Sequence, residues 1–92
     1  MSRVAALNSR TAAVRVAKAY SNPDLTEREL DVLKRIVEGE GNRAIANDLT
    51  ISIDTVSNHV KNIHKKLGAR NRTHAAILAV VLGLVELPDF EF

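Results

Sequence analysis

The sequence predicts an all-α fold, in which four helices form one small domain and an extra helix precedes them. Two observations support this fold class. Apolar residues recur every three or four positions in several segments, which is the spacing that places them on one side of a helix. Residues typical of helix starts and ends bracket these segments. The chain of 92 residues has the length of one small domain.

The longest predicted helix lies between Asp54 and Leu67, with Ser52 as its cap and Gly68 as its end. Its apolar stripe consists of Val56, Val60, Ile63 and Leu67. Its opposite side carries Ser57, Asn58, Lys61, Asn62 and Lys65. Donors, acceptors and ammonium groups of this kind could contact base edges and phosphates of DNA, but most polar helix faces are only solvated. The helix alone leaves both interpretations open.

The first helix of the domain is predicted from Glu27 to Glu38. The turn at Asn22 and Pro23 precedes it, and Thr26 with Glu29 has the spacing of a capping box. Its buried side is predicted to contain Leu30, Leu33, Ile36 and Val37. Gly39 and Gly41 follow it, where left-handed backbone has little energetic cost. The first helix should therefore be stable and sharply ended.

A short second helix is predicted from Arg43 to Leu49, capped by Asn42. It is expected to bury Ile45, Ala46 and Leu49. Residues 50–52 then form a tight turn before the long helix, with Ile51 filling the corner. A short helix, a tight turn and a longer helix form a helix-turn-helix motif.

The last helix is predicted from Thr73 to Leu82, and its sequence AAILAVVL is apolar on every side. It is too short to span a bilayer, which requires about 20 apolar residues. One side is expected to face the domain's own core and the other a second subunit. A wholly buried core helix is the alternative.

The termini give weaker signals. Residues 1–22 are predicted to be a linker or docking helix, with an organellar transit peptide as the alternative. The acidic tail of residues 86–92 indicates no role. Four basic and no acidic residues in 1–22, and five basic against two acidic residues in 41–70, concentrate positive charge in these two segments. Such a polarised surface favours a polyanion as partner.

An enzyme is not expected. His59, His64 and His74 are the residues that invite that hypothesis, yet His59 and His64 are five positions apart on one helix and diverge. His59 is expected to be half-buried and His64 solvated. The sequence contains no cysteine, so thiolate metal sites and disulfides are excluded. No cofactor or metal ion is expected, and a cytoplasmic location fits the absence of cysteine.

The segments LTERELDVLKRIVEG and GNRAIANDLTISIDTVSNHVKNIHKKLGARNRTHA resemble the DNA-binding domain of LuxR-type (GerE/NarL-like) bacterial transcription regulators. The resemblance covers residues 25–85 and implies a domain at 23–85 whose third helix enters the major groove of double-stranded DNA. It places base-reading positions at Ser57, Asn58 and Lys61. It places phosphate contacts at Arg43, Thr55, Asn62, Lys65 and Arg70. It also implies a homodimer through the fourth helix, for which Ile77, Leu78 and Val81 are the candidate contacts.

Two positions depart from the family pattern. Ser57 stands where many members carry lysine, which leaves the base preference open there, and Ala44 stands where many carry glutamate. Members usually have a receiver or ligand-binding domain as well, so the chain is expected to be a stand-alone regulator or an effector portion, with RNA polymerase as a candidate further partner and no membrane contact. The alternative is a protein-binding helical module of a polymerase-associated factor, similar to sigma region four, or an adaptor.

Overall fold

The computed structural model describes residues 23–87, which form four α-helices. Helix α1 spans Glu27–Val37, α2 Asn42–Leu49, α3 Ile53–Leu67 and α4 Arg72–Val81. Residues 23–87 contain no β-strand. Each helix lies within one residue of its predicted bounds, so the four-helix, all-α prediction is confirmed. The extra helix predicted in residues 1–22, and the tail beyond Leu87, lie outside the described residues.

Helix α1 begins with the predicted capping box. The Glu29 backbone N–H donates to Thr26 Oγ1 at 3.1 Å, and the Thr26 N–H donates to Glu29 Oε1 at 2.9 Å. These two bonds satisfy backbone donors that the first turn of a helix otherwise leaves free. The start of α1 is therefore fixed by its own sequence.

The buried side of α1 is rotated relative to the prediction. Leu33 and Ile36 are buried as expected, but Val32 is fully buried, while Leu30 and Val37 are only partly buried. The physical reason is that α1 packs against both α3 and α4, so its buried arc is centred between two neighbours. The spacing of apolar residues in α1 does not show that the helix packs against two neighbours.

All four helices contribute to one core. Helix α3 is central, because it contacts α1, α2 and α4. The core cluster consists of Val32, Leu33, Ile36, Ile45, Ala46, Val56, Ile63 and Ala79. Each large aliphatic side chain in it contributes about 1.5–3 kcal/mol by leaving water. With so few large residues, the stability of the domain depends strongly on each.

An ion pair with a buried carboxylate joins α1 to the end of α3. The Lys66 Nζ lies 2.7 Å from Glu29 Oε1, and Glu29 is only 3% exposed. Burial alone would raise the pKa of Glu29, but the hydrogen bonds from Lys66 and the Thr26 N–H, together with the Lys66 charge, hold it below its ordinary value. The carboxylate is therefore the favoured form in the folded domain.

The connections depend on left-handed backbone at Gly39 (φ 92°) and Gly68 (φ 67°). Gly41 is different, because it has a negative φ of −86° and is the N-cap of α2. The predicted cap, Asn42, is instead the first residue of the helix, and no side chain caps α2. The Asn42 side chain cannot cap this helix because it bonds to Ser57 and Arg72.

Replacing Gly68 by alanine should destabilise the domain by about 1 kcal/mol, because an L-residue is strained at this positive φ. A Cβ at Gly68 meets no atom within 4 Å, so the effect isolates backbone strain. Urea denaturation measures it. Gly41→Ala is the matched control, since a Cβ there is equally unobstructed and φ is negative. Equal losses in the two variants would contradict the argument.

Replacing Glu29 by glutamine should lower the free energy of unfolding at pH 7 by about 1–3 kcal/mol, because the Lys66 ammonium loses its partner. A depressed carboxyl pKa stabilises the fold above the unfolded value, near 4.5, and this stability disappears as the pH falls through the lower folded value. The difference between wild type and variant should therefore shrink below about pH 4. Denaturant titrations from pH 7 to pH 3 test this, with exposed Glu38→Gln as the control.

Candidate nucleic-acid interface

The turn between α2 and α3 sets the angle between the two helices. Helix α2 ends at Thr50, which adopts a left-handed conformation with φ 57° and ψ 45°. The Ile51 N–H then donates to the Ala46 carbonyl at 3.0 Å, and Ser52 Oγ accepts from the Thr55 N–H at 3.0 Å. Ile51 packs against the core, and Ser52 is the predicted cap of α3. The helix-turn-helix prediction is confirmed, while the left-handed threonine was not foreseen.

The side of α3 opposite the core is a row of exposed polar groups. Asn58, Lys61, Asn62 and Lys65 are all exposed and recur at helical spacing, so they share one face. Two predicted base-reading residues, Asn58 and Lys61, and two predicted phosphate ligands, Asn62 and Lys65, thus lie together. We call this row the α3 outer face. Its amides and ammonium groups can donate to base acceptors and phosphate oxygens.

The third predicted base-reading residue, Ser57, is half-buried beside the α3 outer face. Thr55 is also half-buried, and its hydroxyl lies 2.8 Å from the Ser52 hydroxyl. Arg43, in the first turn of α2, and Arg70, after Gly68, are exposed. The predicted set therefore divides into exposed side chains and two hydroxyls already engaged inside the protein.

A chain of hydrogen bonds connects three helices at Ser57. Arg72, the first residue of α4, donates to Asn42 Oδ1 at 2.8 Å and to the Glu40 carbonyl at 2.6 Å. Asn42 in turn donates through Nδ2 to Ser57 Oγ at 3.3 Å. Burial lowers the pKa of Arg72, as expected for a guanidinium partly removed from water. The sequence analysis missed this chain, because its residues are 15 and 30 positions apart and no local spacing signals them.

The basic side chains separate into paired and unpaired groups. Within residues 23–87, Arg28, Arg35 and Lys66 form ion pairs with carboxylates. The basic residues with neither an ion pair nor a side-chain hydrogen bond in this part of the chain are Lys34, Arg43, Lys61, Lys65 and Arg70. Four of these five belong to α2, α3 or the segment after α3. Unpaired cations are thus concentrated at the helix-turn-helix, where they are available to an anionic ligand.

A charged cluster ties the end of α1 to α2. Arg35 Nη1 lies 2.8 Å from Asp48 Oδ2 and 3.4 Å from Glu40 Oε2. The neighbouring Asp48 carboxyl group, together with burial, raises the pKa of Glu40 against the opposing effect of Arg35. Arg35 is therefore bonded to carboxylates of the protein itself, and the cluster stabilises the fold.

The three histidines do not form one site. His59 is half-buried as predicted, while the prediction of a solvated His64 is wrong, because His64 is half-buried and its Nε2 is buried without a hydrogen-bond partner. His74 Nδ1 accepts from the Arg70 N–H at 3.0 Å, at the start of α4. Residues 23–87 contain no group of three or more His, Cys, Asp or Glu side chains placed to hold a metal ion.

Helix α4 exposes apolar side chains on the side away from the core. Ile77 is 55% and Val81 48% exposed, whereas Leu78 is half-buried. An apolar groove runs along this side, lined by Val37, Ala76, Ile77, Val80, Val81 and Leu87. We call it the α4 groove. The alternative of a wholly buried last helix is wrong, because Ile77 and Val81 face solvent in the single chain. In the described part of the chain, no helix is long and apolar enough to cross a membrane.

The four helices, the tight turn and the polar α3 outer face define a helix-turn-helix domain. The sequence profile of the family described as "Bacterial regulatory proteins, luxR family" matches residues 23–79. This match covers more than half of the chain, so the chain belongs to the luxR family of bacterial regulatory proteins. The resemblance seen in the sequence is thereby confirmed.

Two relatives illustrate the similarity. The chain is 51% identical over 61 residues to the transcriptional regulatory protein LnrK of Bacillus subtilis (strain 168), a match that covers 66% of this chain and 28% of LnrK. It is 39% identical over 67 residues to the spore germination protein GerE of the same organism, covering 73% of this chain and 90% of GerE. The chain thus corresponds to less than a third of LnrK but to most of GerE.

The fold agrees with a solved structure. The structure of the transcription factor GerE superimposes with a TM-score of 0.66 at 34% identity, over 70% of this chain and 96% of that chain. The fold therefore agrees with the family match.

Proposed function

We propose that residues 23–85 bind double-stranded DNA in a sequence-specific manner, with α3 in the major groove. The observation that carries this proposal is the α3 outer face, an exposed row of two amides and two ammonium groups opposite a stripe in which Val56 and Ile63 are fully buried. Arg43 and Arg70, which are exposed and form no ion pair within residues 23–87, flank it in sequence and add positive charge. Membership of the luxR family supports the proposal.

Affinity and specificity come from different groups in this proposal. The cationic and polar side chains that contact phosphates are Arg43, Thr55, Asn62, Lys65 and Arg70. The N-terminus of α3 adds its free N–H groups. Phosphate contacts fix the register without reading sequence. Asn58 has the geometry for adenine N6 and N7, Lys61 for guanine O6 and N7, and Ser57 contributes a hydroxyl.

Two chains bind one inverted repeat in this proposal. The exposed side of α4 at Ile77 and Val81, with half-buried Leu78 beside it, supplies the dimer contact. Exposed aliphatic side chains gain free energy when a second copy covers them. A two-fold dimer requires half-sites about 10 base pairs apart, centre to centre.

The wider role is proposed by analogy with the relatives. The chain acts as a cytoplasmic transcription regulator, either alone or as the effector portion of a response regulator, and RNA polymerase is a further partner. Residues 1–22, with four basic and no acidic residues, serve as a linker or docking helix. The LnrK and GerE matches support the regulatory role.

Replacing Lys61 by alanine should reduce discrimination between the selected site and a scrambled duplex by about 1–3 kcal/mol, because a base contact is lost. The selected site comes from rounds of binding to random duplex DNA. Gel-shift titrations then measure the dissociation constants of the site and the scrambled duplex, and they also give the stoichiometry.

Lys65→Ala and Lys34→Ala are the matched controls. Lys65→Ala should weaken binding to both duplexes and reduce the slope of log K against log salt by about 1. Lys34, exposed on α1, should change neither quantity. Unchanged discrimination in Lys61→Ala would show that the base-reading assignment is wrong. Salt-insensitive association with a protein would instead favour the alternative, a protein-binding module that uses the α4 groove.

Replacing Ile77 by aspartate should abolish the complex of two chains on an inverted repeat, because a carboxylate would be buried in an apolar contact. Analytical ultracentrifugation and gel-shift stoichiometry measure this. Ile77→Leu preserves the apolar volume and should dimerise normally. Because Ile77 is exposed in the single chain, the aspartate variant should still fold. Persistence of the two-chain complex would place the dimer contact elsewhere.

A further inference from the structure

The hydrogen-bond chain at Ser57 has a fixed direction. A guanidinium has only donors, so the Asn42 atom that faces Arg72 at 2.8 Å must be the oxygen. The amide nitrogen of Asn42 must then face Ser57, where it donates to Oγ. The partners of the Asn42 amide therefore determine which of its two end atoms is oxygen and which is nitrogen.

The direction of the chain decides what Ser57 can offer. A hydroxyl has one proton and two lone pairs, and Asn42 occupies one lone pair. Within residues 23–87, Asn42 is the one side-chain hydrogen-bond partner of Ser57. The Ser57 proton is therefore available to an acceptor outside the protein, and the second lone pair remains beside it.

Arg72 is held firmly enough to impose this direction. Its second contact, to the Glu40 carbonyl at 2.6 Å, anchors the guanidinium to the connection between α1 and α2. Rotation of the Asn42 amide by 180° would point its NH₂ group at a cation that cannot accept. It would also leave a half-buried donor without an acceptor, which is unfavourable. The amide is consequently locked in one orientation.

We propose that Asn42 and Arg72 are positioning residues that keep the Ser57 proton free for donation to DNA, and so allow an acceptor base at the position that Ser57 faces. This rests on the proposed function, in which Ser57 reads a base. Guanine O6 and N7, adenine N7 and thymine O4 are acceptors in the major groove, whereas cytosine presents an N4 donor. If the proton were instead used inside the protein, Ser57 could only accept, and cytosine would be favoured over guanine at that base.

Asn42→Asp tests the proposal, because a carboxylate of the same shape still accepts from Arg72 but also accepts the Ser57 proton. Ser57 then has only lone pairs to offer. Four duplexes that differ at a single base pair, the one at which Ser57→Ala changes the binding ratios, are compared by competition. Relative to wild type, Asn42→Asp should shift the ratio of guanine to cytosine binding about five-fold towards cytosine, the factor that one hydrogen bond supplies.

Controls separate positioning from general effects. The added charge of Asn42→Asp lowers affinity for all four duplexes alike, so the ratios are the readout. In a Ser57→Ala background, Asn42→Asp should leave the ratios unchanged. Arg72→Gln, which can present either amide atom, should shift the ratio part of the way towards that of Asn42→Asp, whereas Arg72→Lys, again only a donor, should retain the wild-type ratio. Thermal unfolding without DNA identifies any variant that fails to fold. If Asn42→Asp or Arg72→Gln fails to fold, the other of these two variants tests the proposal.

The outcomes distinguish this proposal from the one on which it rests. If wild type selects no DNA sequence, the proposed function fails and this inference with it. If wild type selects a site but Asn42→Asp keeps the wild-type ratios, the role of Asn42 alone is overturned. That role is also overturned if Ser57→Ala changes overall affinity without changing any base preference, since Ser57 would then contact phosphate.

Discussion

The burial of one side of α3 is the constraint on which the rest of the molecule depends. Val56 and Ile63 are fully buried in a core to which α1, α2 and α4 all contribute. Because this helix contacts the other three, its rotation about its own axis is fixed. The opposite side must then face solvent, and it carries Asn58 and Lys61. Core packing and the exposed polar surface are thus two consequences of one helix orientation.

Two neighbouring lysines at the end of α3 differ in whether they form an ion pair. Lys65 is exposed and has no ion pair within residues 23–87, while Lys66 reaches the buried carboxylate of Glu29. Removing a charge from water is costly unless a partner compensates it, so the buried Glu29 carboxylate requires the Lys66 ammonium. The pair connects the capped start of α1 to the end of α3. Some basic side chains thus stabilise the fold, and others remain available to a ligand.

The hydrogen-bond chain from Arg72 to Ser57 connects the helix proposed for dimerisation with the helix proposed for DNA binding. Arg72 begins α4, the helix with the exposed apolar groove, and Ser57 lies beside the α3 outer face. Asn42, between them, begins α2. A change in the position of α4 relative to α2 would therefore change the hydrogen bond between Asn42 and Ser57. Ser57 is also one of the two positions, with Ala44, at which the resemblance to the family predicts a different residue.

The sequence by itself determined the four helices, the capping box at Thr26 and Glu29, the Ser52 cap and the exposed character of Asn58 and Lys61, because local spacing encodes all of these. Tertiary structure decided which helix faces are buried, since α1 lies between two neighbours and buries Val32 in place of Leu30. It also decided the role of Asn42, which the local pattern predicted as a cap. The physical reason is that its partners are 15 and 30 residues away, and only folding brings a guanidinium, an amide and a hydroxyl within hydrogen-bond distance.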